Sequence, residues 1–493
     1  MRFAYCTLQN PMSKTLAEWL TYLESLHPKA IALGLERVAQ VRQRLNLDPD
    51  FPIIVVGGTN GKGSVCAMLE AMLHAAGYKA GCYTSPHLLR YNERVRIGKK
   101  PAGNEELCAA FERIEQARGD TSLTYFEFGT LAAIQLFIEH KVDVAILEVG
   151  LGGRLDAVNL FDGDCAVVTS VDIDHTDYLG ETREQIAFEK AGIFRKGHVA
   201  ICADSDVPQA IREHAQQIGA ELWCIGSEFG FSLPSPAGGG GVGGEGSGNG
   251  VSSIAQPLTR PVGHPLGETT SHSTRLQTTA AKSLVIPPAG EGLTQGQWNY
   301  RSKVGARNSL PCPALRGAFQ LHNASAALAA LDALKERLPV SMEAVRRGLV
   351  EVQLAGRFQM APGRPQLILD VAHNPHAARA LAQNLASLPP CPHTWAVFAM
   401  LGDKDMAGVA AALDPLVGTW LVAGIAAPRG ATAEELAQVL KNTGVRGDIQ
   451  TFTSIAEAVR YAYNAASEND RIAAFGSFYT VADVMDARGL QVP

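Results

Sequence analysis

Two rhythms of apolar residues divide this chain. The first is a set of short, strongly apolar runs, Phe51–Val56, Lys79–Thr84, Val142–Val149 and Cys165–Val171. Runs of this length, several rich in Val and Ile, read as strands buried on both faces of a parallel sheet. The second rhythm is helical. Val65, Met68, Leu69, Met72, Leu73 and Ala76 recur at three- and four-residue intervals, and Gly77 is placed to stop the helix. Residues 15–45 carry one or two further helices, 130–139 an apolar helix, and Phe188–Phe194 lies on another. His322–Leu328 opens an Ala/Leu-rich helix with Asn323 as a candidate N-cap. A second block of alternation follows, with strands expected at Gln366–Val371, Trp395–Leu401, Thr419–Gly424 and Arg471–Phe475.

The rhythm fails in one place. Beyond Cys202 it weakens, Pro234–Gly250 is dominated by Gly, Ser and Pro, and 251–296 stays polar. Such a composition cannot bury enough apolar surface to order itself. Residues 234–296 are therefore expected to be a disordered insert interrupting a hairpin between Phe229–Phe231 and Trp298–Tyr300. Strand–helix alternation on both sides predicts an α/β protein.

Chemistry enters at the turn after Phe51–Val56, which reads Gly57-Gly58-Thr59-Asn60-Gly61-Lys62-Gly63-Ser64. Strand, Gly-rich turn and helix aim backbone N–H groups and a helix dipole at one spot, which suits a phosphate chain. Lys62 adds a cation, and Gly58 to Ser64 become the candidate nucleotide contacts. The general P-loop pattern puts Gly where this chain has Val56, and here Gly63 separates Lys62 from Ser64.

Composition narrows the reading. The chain has 493 residues, 46% hydrophobic and 19% charged, so two to four soluble domains with a sizeable core are expected. A net charge of −6 argues against a broad nucleic-acid surface. The nine cysteines are scattered without a C-x-x-C pair, which fits thiols in a reducing cytoplasm. Neither a signal peptide nor a membrane span is expected.

Other polar residues stand where open α/β sheets place ligands, at strand C-terminal ends. Ser85 follows Lys79–Thr84, with Asn92-Glu93-Arg94-Val95 after it. Glu148 sits inside a buried strand, where a carboxylate is costly unless paired or metal-bound, and Gly150–Asp156 follows. Asp172-Ile173-Asp174-His175 ends the next run. Asp370 and His373 end the first strand of the second block, and Met400–Asp405 and Gly476–Thr480 end later ones. The aromatic stretch Thr124–Thr130 is either core or a stacking surface for a flat ligand. Glu36-Arg37 reads as a solvated charge pair behind a helix cap.

Taken in order, these motifs resemble the Mur ligase superfamily in its folylpolyglutamate synthase branch, most closely the bacterial enzymes that also act as dihydrofolate synthases. The resemblance spans nearly the whole chain outside the insert. It implies a P-loop ATPase-like domain with a mostly parallel sheet at 1–353, a linker at 354–360, and a smaller Rossmann-like domain at 361–493 that holds glutamate. It implies ATP-dependent acyl activation, with glutamate joined to dihydropteroate and to tetrahydrofolate. Ser85, Glu148, His175 and a carbamylated Lys190 would hold two Mg²⁺, with a monovalent cation such as K⁺ also admitted. Asn323 would bind adenine, while Arg357 and Asp370 would serve the nucleotide. Lys62, His175, Lys190, Asp370 and His373 would be catalytic. Arg37, Phe126, Gly129, Asp156, His373 and Ser477 would touch substrate. A cytoplasmic monomer acting on small molecules is expected. Three readings stay beside this one: a plain polyglutamate synthase, a sister Mur-type ligase, and a non-catalytic nucleotide switch.

Overall fold

The computed structural model describes residues 14–28, 31–234, 296–317 and 319–492. The expected insert at 234–296 falls, apart from its two end residues, outside the described residues. Eight strands form the first sheet: β1 (Ile53–Gly57), β2 (Ala80–Tyr83), β3 (Val95–Ile97), β4 (Lys100–Pro101), β5 (Val144–Glu148), β6 (Cys165–Val168), β7 (Val199–Cys202) and β8 (Glu221–Cys224). Their order is β4-β3-β2-β5-β1-β6-β7-β8, parallel from β2 to β8, with β3 and β4 antiparallel at one edge. β1 is central because all five of its residues are buried; only a strand covered on both faces tolerates that run. Helices Lys62–Ala75 and Gln320–Ala333 cover one face, and Tyr125–Glu139 the other.

A three-stranded sheet comes next, β9 (Phe229–Ser232), β10 (Gln297–Ser302) and β11 (Gly305–Pro311), in the order β11-β10-β9. β9 and β10 pair antiparallel, with Tyr300 opposite Phe231, as the two aromatic runs predicted. The last sheet holds β12 (Gln359–Ala361), β13 (Gln366–Asp370), β14 (Thr394–Phe398), β15 (Thr419–Ala423), β16 (Asp448–Phe452) and β17 (Arg471–Phe475). Its order is β12-β13-β17-β14-β15-β16, parallel except for β12. The molecule is thus a two-domain α/β fold, and no described helix is long and apolar enough to cross a membrane.

Four local expectations change. The apolar helix begins at Tyr125, not 130, because Thr124 and Glu127 form a reciprocal capping box. Asn323 is not an N-cap. Its N–H bonds the Phe319 carbonyl inside the helix, so its side chain is released for other work. Arg37 does not form a solvated pair with Glu36; it reaches Glu127 at 2.9 Å. β11 and β16 escaped the pattern because almost none of their residues is buried, Leu310 being the exception.

Candidate active site

The Gly-rich turn starts the helix Lys62–Ala75 with Gly61 as its N-cap, at φ 90°, and with no side chain closing the first N–H groups. Those donors are left for a ligand, in a region where the helix dipole is positive. The turn is held from behind. Thr59 N–H donates to the Ser170 carbonyl at 2.7 Å, and the Thr169 hydroxyl donates to the Asn60 carbonyl at 2.6 Å. The Thr59 hydroxyl donates to the Asp172 carbonyl and accepts from the Asp172 N–H. Lys62 Nζ folds over the turn onto the Gly58 and Thr59 carbonyls at 3.0 and 3.3 Å. A Cβ on Gly61 would stand 2.6 Å from Asn323 Oδ1, so the Asn323 amide packs directly on the turn.

Glu148 ends β5, beside β1, and is 4% exposed. It accepts the Ser85 N–H at 3.1 Å, and no described residue forms an ion pair with it. Burial holds its carboxyl above the ordinary value, against the pull of Lys62, the Ser85 N–H and Arg357. An unpaired, buried carboxylate next to a phosphate-type turn fits a hard divalent cation. Among the described residues no three His, Cys, Asp or Glu side chains converge as a self-sufficient metal cluster. Phosphate or hydroxyl oxygens would have to complete such a shell.

His175 follows β6 in a left-handed conformation, φ 53°, which is strained for a residue with a Cβ. Burial lowers its ring to about 4, so it is neutral near pH 7. Lys190 is also 4% exposed, and burial, then Lys62, brings its amine down to about 7. Its helix, Arg183–Ala191, fits closely because a Cβ on Gly153 would lie 2.8 Å from the Glu189 carbonyl. Glu148, His175 and Lys190 thus all feel Lys62 electrostatically, from three separate elements.

The second domain supplies the opposite wall. Asp370 ends β13 and accepts the Phe358 and Ala372 N–H groups at 2.8 and 2.9 Å. Burial raises its carboxyl to about 6, with Arg357 opposing. Arg357 lies over the Phe478 ring at 5.1 Å, and its Nη2 would be 3.8 Å from a Cβ on Gly63. His373 donates Nδ1–H to the Val371 carbonyl at 2.8 Å, leaving Nε2 as the basic nitrogen 4.0 Å from Asp174. Burial lowers that ring to about 4. The Ser477 hydroxyl caps the last helix through the Tyr479 N–H.

Four substrate candidates have structural partners of their own. Asp156 is buried and accepts the Leu151 and Val158 N–H groups, shaping the Gly150–Asp156 loop. Burial lifts it to about 7. A Cβ on Gly129 would meet the Tyr91 and Tyr83 hydroxyls at 2.6 and 3.0 Å. Phe126 is half-buried, 5.7 Å from Tyr83, and covers Gly150. Arg37 lines an open cavity of about 560 Å³ with Leu33 and Tyr178.

Sequence reasoning missed Asn374, His376 and Lys404, which join the domains, and the interdomain role of Asn60, taken only as a nucleotide contact. Asn60 and Asn374 form a reciprocal amide pair at 3.2 and 3.3 Å, and Asn60 also reaches His376. Asn374 donates further to Asp174. Lys404 binds Asp174 at 2.6 Å, and both side chains are about nine-tenths buried (7% and 10% exposed). Each follows a strand end, which was the available signal.

The Mur ligase middle-domain family matches residues 56–230, and the Mur ligase glutamate ligase domain family matches 356–478. The dihydrofolate synthase/folylpolyglutamate synthase of Escherichia coli K12 is 42% identical over 472 residues, covering 96% of this chain and 95% of that protein. The Haemophilus influenzae protein of the same description is 36% identical, over 97% and 98%. Among solved structures, Escherichia coli FolC in complex with DHPP and ADP superposes with a TM-score of 0.81 at 41% identity, over 97% and 99%. The bifunctional Yersinia pestis enzyme complexed with AMPPNP and Mn ion gives 0.79 at 42%, over 98% and 100%.

Proposed function

This chain belongs to the dihydrofolate synthase/folylpolyglutamate synthase family of Mur ligases, and from that premise we propose how its residues divide the work. It is an ATP-dependent ligase that joins L-glutamate to 7,8-dihydropteroate and to tetrahydrofolate. The folate-side carboxylate attacks the γ-phosphorus, ADP leaves, and an acyl phosphate forms. The glutamate amine then attacks the acyl carbon, losing a proton, and phosphate departs as the amide closes.

The observation that carries the reading is the meeting of an open P-loop with the Asp370–His373 turn of a second domain. The uncapped N–H groups of the helix at Lys62 cradle the phosphates, and Lys62 and Arg357 balance charge that grows on their oxygens. Asn323 holds the adenine side of the turn. Divalent metal, when bound, screens the triphosphate, and Ser85, Glu148, His175 and Lys190 are the residues that would hold it. Two Mg²⁺, and a monovalent cation such as K⁺, belong to this reading. The His373 Nε2 lone pair is suited to take the amine proton, and Asp370 orients that turn. The reading keeps domain bounds of 1–353, 354–360 and 361–493; the division of the strands into two larger sheets supports two domains, with β12 beginning inside the linker. A monomer in the cytoplasm is the simplest assembly; the eight described cysteines are all free.

Product analysis with ATP, glutamate and either dihydropteroate or tetrahydrofolate tests the function. ADP released with both, and one added glutamate in each product, is expected. Product from tetrahydrofolate alone leaves a plain polyglutamate synthase, and product from neither points to a sister ligase. A buried Lys190 amine near neutrality is poised to take up CO₂ and become an anionic oxygen donor. Lys190→Ala should therefore lower both reactions together by about 100-fold, with partial rescue by short carboxylic acids. Loss confined to one reaction would refute the carbamate.

A further inference from the structure

Arg94 stands at the end of the β2–β3 hairpin, where its carbonyl accepts the Thr84 N–H, one residue before Ser85. Neutral groups hold its side chain. Nε donates to His87 Nδ1 at 2.8 Å. The guanidinium lies 5.6 Å from the Tyr91 ring centre and 5.4 Å from that of Tyr125. Among the described residues no carboxylate comes within ion-pair distance of it. Several enclosed arginines are matched by a carboxylate, Arg96 by Glu70, Arg183 by Asp204 and Arg307 by Asp332, while Arg471 is satisfied by the Leu385 and Pro389 carbonyls. A half-buried guanidinium without an anion has lost solvation and gained no counter-charge.

Its surroundings say what kind of anion would complete it. The aromatic group continues through Tyr83 to Phe126, the flat face beside the Gly150 loop. Tyr479 of the second domain is 50% exposed and acts on the Tyr125 hydroxyl electrostatically. Arg94 thus lies between two aromatic rings, Tyr91 and Tyr125. Guanidinium on an aromatic platform is suited to a carboxylate carried by a planar, extended ligand.

We propose that Arg94 binds the α-carboxylate of the terminal glutamyl residue of a folate substrate, and so serves the second ligation but not the first. This rests on the two-reaction reading above. Dihydropteroate has one carboxylate, and it is consumed as the acyl group. A folate offers its γ-carboxylate for activation and keeps the α-carboxylate free. The incoming glutamate also carries carboxylates, but both reactions need it.

The test is steady-state kinetics of Arg94→Gln and Arg94→Lys beside the wild type, with each substrate in turn. Arg94→Gln should raise KM for tetrahydrofolate about 30-fold, with kcat within about twofold and dihydropteroate kinetics within about threefold. Arg94→Lys should fall between, since a point charge lacks the planar fork. A tetrahydrofolate analogue with an α-carboxamide should lose about the same factor on the wild type and nothing further on Arg94→Gln. Equal losses with both substrates would mean that Arg94 only supports the aromatic packing. A raised KM for glutamate in both reactions would assign it to the incoming amino acid. Either result overturns the proposal, as does unchanged kinetics. A wild type that uses neither substrate removes the premise and the assignment together.

Discussion

Two helix starts face each other across this cleft, and they are built in opposite ways. The helix Lys62–Ala75 begins at Gly61 with no side-chain cap, so its first N–H groups are unclaimed. The helix Pro375–Ala386 begins at Asn374, whose Oδ1 accepts the Ala377 N–H at 2.9 Å, while Pro375 has no N–H to offer. Both follow the C-terminal end of a parallel strand, β1 and β13, so fold position alone does not distinguish them. The first is open and leaves its backbone N–H groups available to an anion. The second is closed and acts only through side chains, namely Asp370, His373 and Asn374 itself. The reciprocal Asn60–Asn374 amide pair ties the open end to the closed one.

Substitutions at three positions probe that difference. The largest effect is expected from Lys62→Ala, which removes the mobile cation of the open end. Ligation measured by ADP release should fall at least about 1,000-fold, with the thermal midpoint within about 2 °C of wild type. Near-normal turnover by the folded variant would show that the turn does not hold the reacting phosphates. Gly61→Ala comes next. Its Cβ would sit in a left-handed backbone and against Asn323 Oδ1, costing about 1–2 kcal/mol. Calorimetric titration with a non-hydrolysable ATP analogue should show roughly tenfold weaker binding. Full affinity would mean that the turn relaxes around a side chain.

Asn374→Ala should have the smallest effect. Losing a cap and an amide pair costs about 1–2 kcal/mol in stability. Nucleotide affinity should change less than about threefold, because Thr169 and Ser170 hold the turn independently. Asn374→Asp keeps the cap and replaces the amide donor with a charge facing Asp174. If it restores stability but not turnover, the domain contact matters beyond the cap. Equal recovery of both would reduce Asn374 to a helix start.

The sequence by itself determined the strand–turn–helix at Gly57–Ser64, because the apolar run, the glycines and the helical repeat are contiguous and local. It also determined both α/β blocks, since a doubly covered parallel strand must be apolar throughout. The same logic located Glu148, a charge out of place in such a strand, and Asp370 with His373 at a strand end. Tertiary structure decided what periodicity cannot carry. Asn323 became a turn-packing residue only because its helix begins at Phe319. Arg37 found Glu127 ninety positions away, and Lys404 found Asp174 across 230. Pairings of that span are set by how two sheets pack and two domains meet, and no local pattern of apolar and polar residues encodes the distance between them.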